Sequence, residues 1–81
     1  MSEPFVTIDL HGMRTVEAEK TIENALKKAD SGTYQIRLIH GYNRGTAIRD
    51  MIYDNFRYEP KVKRIIPGDN QGITVIVLRE L

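Results

Sequence analysis

The sequence has no cysteine. Without thiols there is no disulfide and no thiolate metal site, and a reducing compartment fits. Proline and glycine are sparse, at three and six residues, and aromatics make up 7% of the chain. With 41% hydrophobic and 28% charged residues, the composition is that of a globular protein rather than a disordered one. No stretch approaches the ~20 apolar residues of a membrane-spanning helix. The opening MSEPFVTIDL has neither a basic start nor an apolar run of signal-peptide length, so the expected location is cytoplasmic. Nor does one sign of charge dominate. Twelve Lys and Arg face eleven Asp and Glu, for a net charge of +1. Binding to nucleic acid would therefore rest on local rather than bulk charge. The 81 residues allow a single domain, 1–81, with its core spanning roughly residues 5–81.

What is present is organised around two histidines. IDLHG (residues 8–12) and IRLIHG (residues 36–41) each end an apolar run with His-Gly, and the chain has no other histidine. Residues 5–11, FVTIDLH, alternate as a strand, with Val6, Ile8 and Leu10 on one face and Thr7, Asp9 and His11 on the other. Thr15 is placed to cap a helix. Ala18, Ile22, Ala25, Leu26 and Ala29 make its apolar stripe, and Gly32 can end it. Residues 34–40, YQIRLIH, read as a second strand. Thr46 opens a second helix lined by Ile48, Met51, Ile52 and Phe56, and Pro60 ends it. Residues 61–66, KVKRII, read as a basic edge strand, PGDNQG as a turn, and ITVIVL as a strand buried on both faces.

The order is β-α-β-α-β-β. Right-handed crossovers make the first two strands parallel, and the last two form a hairpin. With the last strand central, the expectation is a four-stranded mixed sheet of order 1-2-4-3. Both helices cover one face, giving a two-layer α/β sandwich.

In that topology both His-Gly corners lie at the carboxyl edge of the sheet, where open α/β folds bind ligands. Glycine after each histidine permits a sharp turn and close approach of a ligand. Backbone N–H groups and guanidinium groups there favour phosphate. The candidate phosphate or nucleic-acid contacts are Gly12, Arg14, Gly41, Tyr42, Asn43, Arg44, Gly45, Thr46 and Arg49. Lys61, Lys63 and Arg64 form a further basic cluster. Asp9 beside His11 can orient the imidazole and raise its basicity. The fitting chemistry is phosphodiester cleavage. His11 would take a proton from water or a ribose 2′-OH, and the arginines would stabilise the phosphorane-like transition state. With water, Asp9, His11 and His40 offer oxygen and nitrogen ligands to Mg²⁺ or Mn²⁺.

DLHG, IHGYNRG, the basic strand and the PGDNQGITVIV hairpin together resemble the Smr (small MutS-related) domain family in its stand-alone bacterial form. The resemblance runs from about residue 7 to residue 81. It implies a β-α-β-α-β-β sandwich similar to the C-terminal domain of bacterial translation initiation factor three. It also implies binding to DNA or RNA, with nicking or RNA-cleaving endonuclease activity. Asp9 and His11 are then the catalytic candidates. His40, from the second motif, is counted with them as a catalytic candidate, and the loop after it with the nucleic-acid contacts. The chain departs from the family's HGKGTG-like pattern by reading HGYNRGT, which gives Tyr42 the chance to stack on a base. The alternative is a non-catalytic module that binds branched DNA or structured RNA, in repair, recombination or ribosome-associated processes. In either case the expected partner is nucleic acid, with no membrane, and the chain is a monomer or weak homodimer.

Overall fold

The computed structural model describes residues 3–42 and 45–80. In chain order the elements are β1 (Phe5–Asp9), α1 (Thr15–Lys28), β2 (Gln35–Ile39), α2 (Ala47–Phe56), β3 (Arg64–Pro67) and β4 (Ile73–Val77). The sheet order is β1-β2-β4-β3. β1 runs parallel to β2, from Phe5 opposite Gln35 to Asp9 opposite Ile39. β4 lies antiparallel to both β2 and β3. The sheet is the mixed one that the sequence pattern predicts. Among the described residues, no helix is long and apolar enough to cross a membrane.

Alternation along the strands separates two faces. Ile36, Leu38 and Ile76 point into one core with Ala18, Ile22 and Leu26 of α1 and Met51, Ile52 and Phe56 of α2. Both helices therefore cover the same face. Val6 and Ile8 reach this core from β1, while Thr7 and Asp9 are exposed on the other side of the strand. Fully burying an aliphatic side chain of this kind contributes about 1.5–3 kcal/mol, so this layer supplies most of the fold's stability. On the opposite face Ile73, Val75 and Val77 form a smaller cluster with Ile39 and Ile66. Every residue of β4 is buried, as its unbroken apolar run requires of a central strand.

Several boundaries differ from the pattern, each for a local reason. β1 stops at Asp9, and His11 lies in the turn beyond it. β2 and β4 are each trimmed at their ends, leaving Tyr34, His40 and Leu78 outside the ladders. The N-cap position of α1 falls on Arg14, and Thr15 is the first helical residue. An arginine side chain offers no acceptor. The side-chain contribution comes instead from Glu17, whose Oε1 accepts the Arg14 N–H at 3.4 Å. Thr46 does occupy the N-cap of α2, but its hydroxyl donates to Asp50 Oδ2 at 2.9 Å rather than accepting a backbone N–H. α2 ends at Phe56, ahead of Pro60.

The largest difference concerns the basic strand. β3 begins only at Arg64, and Lys61 has another role. Its ammonium donates to the carbonyls of Leu26 at 2.6 Å and Ala29 at 3.1 Å. α1 therefore ends at Lys28, before Gly32, with its terminal carbonyls met by a cation. Arg64 in turn pairs with Glu80 at 2.7 Å. The Lys61, Lys63 and Arg64 run is thus not one free basic patch.

Lys61→Met keeps the alkyl stem and removes the donor. The expected loss is about 1 kcal/mol, which lowers Tm by roughly 4–8 °C in a domain of this size. Lys63→Met is the control and should stay within about 0.5 kcal/mol. Equal melting of the two variants by circular dichroism would show that Lys61 does not hold α1.

Candidate functional site

The first corner is made by contacts two residues apart. Asp9 Oδ1 accepts the backbone N–H of His11 at 3.0 Å and lies 2.7 Å from His11 Nδ1. This is a turn closed by an aspartate side chain, and it explains why β1 ends where it does. It brings carboxylate and imidazole together although His11 has left the strand. Gly12 follows with φ of +80°, which a side chain would strain. Both groups are open to solvent, with side-chain exposures of 72% for His11 and 57% for Asp9. The hydrogen bond from the His11 ring, then that from its backbone N–H, holds the Asp9 carboxyl below its usual range. A carboxylate on Nδ1 selects the tautomer with the hydrogen there. Nε2 is left as a proton acceptor with no partner among the described residues.

The second corner is held by long-range contacts. His40 and Gly41 both donate their backbone N–H groups to Gly72 O, at 2.9 and 3.0 Å. Gly72 is itself fixed by Asn70, whose Oδ1 accepts its N–H at 2.8 Å. A side chain at Gly72 would crowd Gly41 Cα and the Tyr42 ring, both 3.2 Å from where its Cβ would sit. The His40 ring is buried. Its Nδ1 is 2.7 Å from Gly41 O and its Nε2 is 2.7 Å from the hydroxyl of Thr74.

Parallel pairing of β1 with β2 brings the two corners together, and Leu10 N–H continues the ladder to Ile39 O at 2.7 Å. A Cβ built on Gly41, where φ is +76°, would lie 3.9 Å from His11 Cβ. Between the corners lies a cleft of about 430 Å³. His11, Gly12, Arg14, His40, Gly41, Tyr42 and Gly45 line it. So do Thr15 at the start of α1 and Ala47 and Ile48 at the start of α2. Two helix N-termini thus face one cleft, and their free N–H groups favour an anion.

Arg49 is not among the cleft's lining residues. It borders a second groove of about 730 Å³ with Asp50, Asp54 and the β3–β4 turn, and its Nε is 3.8 Å from Asp50 Oδ1. Thr46 is at the mouth of α2 and is bonded to Asp50. Asn43 and Arg44 lie outside the described residues. The sequence pattern did not reveal Gly72, Asn70 and Thr74 as supports of the site. The available signal was the antiparallel course of β4, which returns the PGDNQG turn to the edge where β2 ends.

Among the described residues, no three His, Asp or Glu side chains converge on one point. Asp9 Oδ1 is bonded to His11, and both His40 ring nitrogens have internal partners. This donor set does not form a resident metal cage.

Comparison with known proteins bears on what this cleft is. The family model described as Smr domain matches residues 8–79. Over 67 residues the chain is 37% identical to Endonuclease MutS2 of Carboxydothermus hydrogenoformans. That alignment covers 80% of this chain but 8% of the relative, so the chain corresponds to a small part of that protein. The fold superposes on the crystal structure of the Smr domain of Thermus thermophilus MutS2 with a TM-score of 0.82 at 29% identity. The match covers 93% of this chain and 99% of that one.

Because its folded pKa is depressed, ionised Asp9 stabilises the native state above pH 3.8, and this contribution is lost as pH falls through the lower native value. An NMR titration of the Asp9 carboxyl carbon should give a midpoint below 3.8. His11→Ala should raise that midpoint only part of the way, because the backbone N–H of residue 11 still donates to Oδ1. Identical midpoints in both proteins would show that the ring does not hold the carboxylate.

Proposed function

The chain belongs to the Smr domain family, and from that membership and the cleft we propose that it binds nucleic acid between its two His-Gly corners and cleaves phosphodiesters there. The observation that carries the reading is the exposed Asp9–His11 pair, 2.7 Å apart, at a cleft faced by two helix N-termini. The name of the relative from Carboxydothermus hydrogenoformans, an endonuclease, supports it.

Asp9 holds His11 with the Nδ1 hydrogen inward. Nε2 takes a proton from water or from a ribose 2′-OH as that oxygen forms its bond to phosphorus; the bond from phosphorus to the departing ribose oxygen breaks, and that oxygen takes a proton from solvent. Charge developing on the phosphorane-like transition state meets the N–H groups at the starts of α1 and α2 and the guanidinium of Arg14. Arg49, on the second groove, is assigned to a flanking phosphate, Arg44 keeps its assignment as a phosphate contact, and Tyr42 offers a face for a base. If a divalent ion takes part, the oxygen Asp9 leaves unbonded and the substrate phosphate are its natural ligands. No step here requires it. His40 is assigned to the support of the loop, since both its ring nitrogens are engaged. The chain is placed in the cytoplasm, which fits its lack of cysteine. It acts as a monomer or weak homodimer.

A second reading is a binding module without cleavage. It is favoured by the HGYNRGT loop and by Tyr42, which is 58% exposed beside the cleft and suited to stacking worth ~1–3 kcal/mol per base.

The two readings part in one experiment. Supercoiled plasmid and a structured RNA are incubated with the protein in Mg²⁺, Mn²⁺ or EDTA, beside His11→Ala and Asp9→Asn. Cleavage should fall by roughly 10²–10⁴-fold in His11→Ala while salt-sensitive binding persists. Equal cleavage by wild type and His11→Ala would refute the assignment. Binding without cleavage by any protein would establish the module instead.

A further inference from the structure

We propose that Thr74 is a positioning residue of the cleft, which acts through His40 to hold the Gly41–Tyr42 backbone against His11. Thr74 is 1% exposed, lies on β4, and has no place among the residues lining the cleft itself. It borders the second groove, so the Thr74–His40 bond links a residue lining one cavity to a residue lining the other.

The hydrogen-bond directions follow from the chemistry of the partners. Gly41 O can only accept, so His40 Nδ1 carries a hydrogen and donates it at 2.7 Å. In the neutral ring Nε2 is then an acceptor. Its partner among the described residues is the Thr74 hydroxyl, also at 2.7 Å, which can rotate to donate. Gly41 O thus sets the tautomer, and the Thr74 hydroxyl, by donating to Nε2, stabilises the form in which His40 grips that carbonyl. The N–H groups of His40 and Gly41 are meanwhile tied to Gly72 O. These three bonds fix the backbone of His40 and Gly41, whose φ is positive, and a Cβ built on Gly41 would lie 3.9 Å from His11 Cβ. Gly41 and Tyr42 line the cleft together with Arg14 and Thr15. Losing the hydroxyl would leave Nε2 buried without a donor, a cost the loop can relieve only by moving.

The consequence for chemistry rests on the cleft being a cleavage site, but the relay itself does not. It is tested first by long-range ¹H–¹⁵N NMR of the histidine rings at pH 8, above the usual histidine range. The wild-type protein should show His40 protonated on Nδ1 and not on Nε2. Thr74→Val, which keeps the shape and removes the hydroxyl, should displace the Gly41, Tyr42 and His11 amide resonances. Thr74→Ser should return them. In the plasmid and RNA assay, Thr74→Val should slow cleavage about tenfold, and Thr74→Ser should restore it to within about twofold. A wild-type His40 protonated on Nε2 would overturn the proposal, and that spectrum needs no variant to fold. Unmoved Gly41, Tyr42 and His11 resonances in Thr74→Val would overturn it equally. Failure of the wild type to cut either polymer would refute cleavage alone, and the spectra would still decide the relay.

Discussion

The insertion of β4 between β2 and β3 is the constraint on which the rest depends. β4 is the one strand whose residues are all buried, and it runs antiparallel to β2. Its first residues therefore lie at the edge where β1 and β2 finish. That course delivers Gly72 O to the backbone of His40 and Gly41, and the Thr74 hydroxyl to the His40 ring. A strand added at the outside of the sheet would leave the second His-Gly corner without a floor. The core strand and the cleft are thus one arrangement seen from two sides.

The two corners obey different physics. At the first, Asp9 and His11 are joined by side-chain and backbone bonds within three residues of chain. Such a contact loses little entropy on forming, because its partners are already close. At the second, His40 is tied to residues more than thirty positions away, and its order comes from the completed sheet. The Asp9–His11 pair is thus made locally and the second corner globally.

This difference decides what the sequence disclosed. Strand order, the pairing of the helices on one face and the meeting of His11 with His40 all follow from apolar periodicity and crossover handedness. They were legible in IDLHG, IRLIHG and ITVIVL. The proximity of Asp9 to His11 was legible too, though alternation along a strand gave the wrong cause, since the aspartate turns the chain instead. The use of Lys61 was not legible, because a lysine in KVKRII looks the same whether it meets solvent or the end of α1. Thr74 was hidden for a similar reason. In an aliphatic run its hydroxyl reads as a conservative interruption until the neighbouring strand places a histidine against it.

Asp9 and His11 are both exposed, and neither belongs to the core cluster. The hydrophobic core is built without them, and Asp9 contributes to stability only through the turn it closes. Selection can therefore remove His11 without touching the core, while the second corner, which the Thr74 hydroxyl braces from the sheet interior, resists drift. On the proposed cleavage reading, descendants of such a chain have an open route from cutting a polymer to merely holding it, and the route back requires no rebuilding of the scaffold.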